Sequence, residues 1–142
     1  MNRLPIDNHP AAEDPLMGED CYRSLVELSP HMVAIHSRGK IVYVNPAGIK
    51  MLGAAGPEDL IGKPSLKIIH PGYIGIVKKR IKLLEEGKTL PLLEEKYIRL
   101  DGKILDVEVA AGPIPFQGRM MFQTIVRDIT EPKQAEEGLR KH

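Results

Sequence analysis

General acid–base chemistry needs carboxylates that share a face, and metal or nucleophilic chemistry needs histidine or cysteine in the right company. This chain of 142 residues offers Glu94-Glu95, Asp106 with Glu108, five histidines and Cys21. Adjacent strand residues point to opposite faces, so Glu94 and Glu95 cannot form a dyad. Asp106 and Glu108 share the face opposite Val107 and read as a solvated sheet surface, because unpaired carboxylates are costly to bury. His9, His31, His36, His70 and His142 lack ligand spacing such as H-x-x-x-H. Cys21 has no activating neighbour in the sequence. Gly53-Ala54-Ala55-Gly56 is not followed by Gly-Lys-Ser/Thr, so it is no phosphate loop. No kinase, cyclase or hydrolase signature stands out.

The informative stretch is mechanical. In Val126-Arg127-Asp128-Ile129-Thr130-Glu131 a β-branched strand runs straight into a charged helix. Asp128 or Thr130 supplies a capping oxygen, and good helix formers follow Pro132. A shift in that strand becomes a motion of the helix, which passes a signal without any catalytic residue. Asp128 and Thr130 are expected to hold the junction by capping and by pairing with Arg127 or Lys133.

Composition is that of an ordinary soluble globular protein. Hydrophobic residues make up 42% and charged residues 27%, ordinary for a globular domain with one core. A net charge of +1 and the absence of Trp argue against nucleic acid. The run Lys78-Lys79-Arg80-Ile81-Lys82 therefore reads as a solvated helix face. No apolar run is long enough for a bilayer, and the N-terminus carries no secretory pattern. One cysteine points to a reducing, cytoplasmic setting.

Residues 1–19, with Pro5, Pro10 and Pro15, are expected to form a flexible arm. A short amphipathic helix over 22–28 ends at Ser29-Pro30. Strands over 32–37 and 40–44 are joined by Arg38-Gly39. Asn45-Pro46 opens a helix that Gly53 ends. Brief helical turns over 57–60 and 64–69 precede a long helix over 73–86, with Ile74, Val77, Ile81 and Leu84 inward. Strands over 92–100, 103–112 and 120–129 close the domain, the first two joined by the tight turn Asp101-Gly102. Pro113 and Pro115 are expected to stop the middle strand. This is an α+β pattern, an antiparallel sheet with helices on one face.

The order and its landmarks resemble the PAS sensor domain. The resemblance rests on Asn45-Pro46-Ala47, Leu60-Ile61-Gly62-Lys63, His70-Pro71, Asp101-Gly102 and the closing Val126-Arg127-Asp128-Ile129-Thr130-Glu131. It spans 22–140 and is nearest to modules of bacterial and archaeal sensor histidine kinases. It implies sheet order 2-1-5-4-3, a domain over 20–130, and a coiled-coil signalling helix from 131 to 142. It also implies an effector in a longer protein, because the chain stops at His142; the alternative is a module acting in trans. Asn45 is expected to pin its strand to the next helix as a structural turn residue.

PAS domains enclose a cavity between sheet and long helix. Alternation selects Tyr97, Val107, Val109, Phe122, Thr124 and Val126 from the strands, and Met51, Ile69, Ile76, Val77 and Ile81 from the helices. The alternative is that these side chains fill the core. Haem-binding members carry an axial His in the long helix; Gly75-Ile76-Val77-Lys78 has none. Blue-light flavin members need a Cys near Ser65 to Ile69, and none is there. The reading is therefore a non-catalytic sensory module without haem, flavin or metal. It takes a small organic ligand or a partner and dimerises through its flanking helices. The rivals are a ligand-free dimerisation module, or the input domain of a transcriptional regulator or cyclic-dinucleotide enzyme.

Overall fold

The computed structural model describes residues 19–140. Five antiparallel strands form one sheet in the order β2-β1-β5-β4-β3, as the resemblance implied. β1 (Met32–Ser37) and β2 (Lys40–Val44) turn at Arg38 and Gly39, with φ of 54° and 77°. β4 (Ile104–Phe116) and β5 (Arg119–Asp128) turn at Gln117 and Gly118, with φ of 52° and 76°. Two successive left-handed residues match the twist of the flanking strands, which makes both hairpins tight. β5 lies between β1 and β4, with Thr124 opposite Ala34 and Val126 opposite Val109. β3 (Leu90–Ile98) completes the edge.

Pro113 and Pro115 do not stop β4. It stays paired with β5 through Pro113–Phe122 and Pro115–Met120 to Phe116–Arg119. The pairing with β3 ends at Leu90–Ala111. Past that point one edge of β4 is open, so a proline facing it removes no ladder hydrogen bond. The β3–β4 connection is longer than a two-residue turn. It runs from Ile98 to Ile104, with Asp101 Oδ1 accepting from Lys103 N at 3.0 Å and Gly102 at φ 90°.

The inner face carries α2 (Pro46–Met51), short 3-10 turns over Pro57–Asp59, Ser65–Ile68 and Pro71–Tyr73, and α3 (Ile74–Glu85). Their Leu52, Leu60, Ile68 and Val77 meet Met32, Ala34, Val107 and Val126 in the main core. Each fully buried aliphatic side chain there contributes about 1.5–3 kcal/mol. α1 (Glu19–Leu28) starts earlier than its expected Tyr22 and takes in Cys21. It serves the other face, where Tyr22 packs against Ile35, Phe116 and Met121 and donates to Gln123 Oε1 at 2.7 Å. The exit helix is α4 (Thr130–Arg140). The arm expected before residue 20 lies outside the described residues apart from Glu19, as do 141–142 of the exit segment.

Candidate functional site

α3 crosses the inner face of β3, β4 and β5 and leaves a cavity of about 50 Å³ beneath it. Apolar walls come from Ile68, Ile69, Val77, Ile81, Leu84 and Leu90. The polar part is built from separate elements. His36, at the end of β1, points inward and stacks on Phe122 with ring centres 5.1 Å apart. Its Nδ1 meets Ser65 Oγ at 2.9 Å and its Nε2 meets Thr124 Oγ1 at 3.1 Å. Burial pulls the His36 imidazole down to about 4, so it is neutral near pH 7. Opposite it, Arg80 Nε lies 3.2 Å from Glu95 Oε2. Glu95 is only 4% exposed. Burial raises its carboxyl above the usual range, and the guanidinium partly offsets that.

A surface groove of about 390 Å³ adjoins this cavity, and His36, Leu84 and Phe122 line both. The His36–Phe122 stack is thus a shared wall between the interior and solvent.

Of the residues expected around a pocket, Ile69, Val77, Ile81, Tyr97, Val109, Phe122 and Thr124 line the cavity. Val107 and Val126 are fully buried in the core beside it, and Met51 packs against that core. Ile76 is misplaced by the sequence reading, for it is 47% exposed. One residue from Val77 is about 100° around the helix, which carries it off the inward stripe. Arg80 corrects the expected solvated face in the opposite sense. It sits three residues after Val77 and four before Leu84, on the buried stripe.

His36, Ser65, Arg80 and Glu95 went unassigned to the cavity. Three signals pointed to them. His36 continues the inward alternation of Met32 and Ala34. Glu95 lies two residues before Tyr97, on the same face, and Arg80 has helical spacing from Val77. Ser65 carries no such signal, because its 3-10 turn has no long periodicity.

The second feature is the junction between β5 and α4. Asp128 Oδ1 accepts from Thr130 N at 2.9 Å and from the Thr130 hydroxyl at 2.6 Å. Thr130 Oγ1 accepts from Asp106 N at 3.0 Å, and Ile129 N donates to Asp106 O at 2.8 Å. The first turn of α4 is thereby tied to β4. The basic partners expected for Asp128 are engaged elsewhere. Arg127 pairs with Glu108 at 3.4 Å and Lys133 with Glu94 at 2.5 Å. A strand face of alternating acids attracts them first.

Asn45 is fully buried and serves three elements. Its Oδ1 accepts from Val33 N at 2.9 Å and Gly48 N at 3.0 Å, capping α2. Its Nδ2 donates to Val26 O and His31 O, both at 2.9 Å.

Large coloured cofactors do not fit this lining. A cavity of about 50 Å³ is far below the several hundred that sites for molecules of drug size occupy. It contains no cysteine, and both ring nitrogens of His36 already hold hydroxyls. Among the described residues no group of three His, Cys, Asp or Glu could hold a metal ion. Among the same residues no helix is long and apolar enough to cross a membrane.

A five-stranded antiparallel sheet in the order 2-1-5-4-3 with helices on one face is the architecture of the PAS fold. The chain matches the PAS domain family over residues 30–131 and belongs to it. It is 37% identical over 122 residues to sporulation kinase A of Bacillus subtilis, covering 86% of this chain and 20% of that protein. It is 34% identical over 130 residues to the C4-dicarboxylate transport sensor protein DctS of Rhodobacter capsulatus, covering 87% and 20%. The chain therefore spans about a fifth of these relatives. Its fold matches the PAS domain of an HTR-like protein from Haloarcula marismortui with a TM-score of 0.66 at 24% identity, covering 78% and 90%.

Proposed function

We propose that this chain is the non-catalytic input module of a cytoplasmic sensor histidine kinase, with a small molecule in the α3–sheet cavity as its stimulus. Occupancy is relayed through Asp128, Ile129 and Thr130 to α4, and from there to an effector in a longer chain. Likeness to a sporulation kinase and a transport sensor supports the kinase context. The observation that carries the relay is the Thr130 clamp, which joins the start of α4 to Asp106 on β4. The same strand supplies Val109 and Ala111 to the cavity. A strand shifted at one end by a ligand therefore moves the group that holds the helix at the other.

The test is hydrogen exchange on Asp128→Ala. Removing the carboxylate leaves Thr130 N and its hydroxyl without their shared acceptor, so residues 131–137 should exchange faster while the sheet amides keep their protection. Unchanged exchange over 131–137 would remove the relay from the proposal.

A specific feature also favours self-association. Leu25 and Leu28 share one side of α1 and are 67% and 83% exposed. In the reading proposed here a second copy covers them around a two-fold axis. Sedimentation equilibrium of the Leu25→Glu, Leu28→Glu variant should report a monomer where the parent reports a dimer.

A further inference from the structure

We propose that the cavity selects a short, uncharged molecule carrying one hydrogen-bonding group, seated on the hydroxyls of Ser65 and Thr124. This rests on the reading of the cavity as a ligand site, and it narrows the class to neutral compounds rather than organic acids or amines.

Charge is the first argument. The titratable side chains of the lining are His36, Arg80, Glu95 and Tyr97. Arg80 and Glu95 already neutralise each other. His36 is held neutral by burial, and burial drives the Tyr97 phenol still further from ionising. A ligand carboxylate would have to lie beside Glu95 or take Arg80 from it. An ammonium would meet Arg80 in the same way. Either leaves a charge in a dry site with an incomplete partner.

Hydrogen bonding is the second. A neutral imidazole has one N–H and one bare nitrogen. It donates to one hydroxyl and accepts from the other, and His36 has a hydroxyl on each side. The hydroxyl that accepts from the ring keeps its own hydrogen; the other keeps free lone pairs. Either tautomer therefore leaves the pair able to donate to a carbonyl oxygen or accept from an alcohol or amide. Ser65 and Thr124 are both lining residues of the cavity, and the Phe122 stack holds the imidazole between their hydroxyls.

Size is the third. If one water needs about 10–15 Å³ of such space, the cavity takes about three to five water-sized groups. That is the bulk of a short ketone, alcohol or amide. The adjoining groove, across the wall of His36, Leu84 and Phe122, gives such a molecule a short way in.

The experiment follows methyl NMR signals of Val109, Ala111 and Thr124 during titration with 2-butanone, propionate and propylammonium, which have similar size and different charge. Xenon, which fills apolar cavities irrespective of charge, serves as the reference probe. Saturable shifts with 2-butanone, at least tenfold weaker effects of both ions, and about tenfold weaker ketone binding in one of Ser65→Ala and Thr124→Val, the one that removes the hydroxyl whose hydrogen is not given to the ring, are expected. Propionate or propylammonium binding as tightly as the ketone would overturn the neutral class and leave the cavity as a ligand site. Ketone binding indifferent to both substitutions would overturn the hydroxyl seat. If xenon and all three molecules leave the methyl signals unmoved, the cavity reading itself fails. The charge series needs only the parent protein, so it decides the class even where a variant does not fold.

Discussion

Glu94 and Glu95 are neighbours on β3 that hold opposite sides of the molecule. Glu95 reaches inward to Arg80 in the cavity lining, and Glu94 reaches outward to Lys133 on α4. Lys96 again turns outward, to Asp106, whose backbone N–H is bonded to Thr130. Three consecutive residues thus contain one cavity contact and two contacts to the exit-helix anchorage. Side chains alternate on an extended strand, so a displacement that moves Glu95 carries both neighbours with it.

The outward contact is the easier one to loosen. Lys133→Met should raise hydrogen exchange over residues 131–137 and leave the denaturation midpoint of the sheet unchanged. The pair is exposed to solvent, so salt should act in the same direction on the parent protein. In the variant salt should then have little further effect on α4. Equal exchange in parent and variant would show that Lys133 does not restrain the helix.

The inward pair should behave as a unit. Glu95→Gln leaves the Arg80 guanidinium, itself 14% exposed, facing a neutral amide. Burial already favours the neutral form of Glu95, so this change should cost little folding stability. Arg80→Met alone should cost more, about 2 kcal/mol, because it strands the Glu95 carboxylate. The double variant should recover most of the loss, since two apolar or neutral groups replace a buried charge pair. Urea denaturation of the four proteins completes the cycle, and strictly additive losses would show that the two side chains act independently.

The sheet order itself was legible only through the resemblance, because strand spacing does not say that β5 lies between β1 and β4. The β1–β2 hairpin was legible directly, from Arg38-Gly39 between alternating strands. The cavity's apolar half was readable from alternation and helical spacing. Its polar half was not: Arg80 was read as part of a solvated helix face, and His36, Ser65 and Glu95 were given no place in the cavity. Arg80 and Glu95 each look solvated alone; as a pair across two elements they are stable inside, and a sequence does not display that partnership. The prolines of β4 misled for a related reason, because where β3 stops decides whether their missing N–H groups matter.

His36 should give stability a pH dependence of definite sign. Its imidazole titrates near 6.5 when unfolded and about 4 when folded. Between those values the unfolded chain binds more protons, so stability rises with pH. The contribution is fully present above 6.5 and is lost as pH falls toward 4, amounting to about 3 kcal/mol. Glu95 acts oppositely: its raised carboxyl favours the folded state at low pH, and that share is lost as pH rises through its folded value. Comparing the parent with His36→Gln isolates the imidazole. The difference in unfolding free energy between pH 7.5 and pH 4.5 should shrink by about 2–3 kcal/mol in the variant. An unchanged difference would mean that His36 is charged, or readily becomes so, in the folded protein.

Asn45 lets the role of one amide be divided. Its oxygen caps α2 and holds Val33, and its nitrogen holds the carbonyls of Val26 and His31. Asn45→Asp keeps the acceptor and removes both donors, setting a carboxylate against two carbonyl oxygens. Asn45→Ala removes all four bonds and leaves a small void in the packed interior. The alanine variant should lose about 3 kcal/mol: Val33 N loses the acceptor that Asn45 gives it, while Gly48 N, Val26 O and His31 O each lose one of two partners. The aspartate variant should lose a comparable amount at pH 7 and regain part of it below pH 5, where protonation restores one donor and removes the repulsion. The two should also differ locally. Aspartate still caps α2, so exchange over residues 46–51 should stay slow, while residues 20–28 exchange faster because Val26 has lost its tie. If α1 and α2 respond alike in both variants, the amide nitrogen has no separate part in seating the N-terminal helix, and Asn45 acts as a helix cap alone.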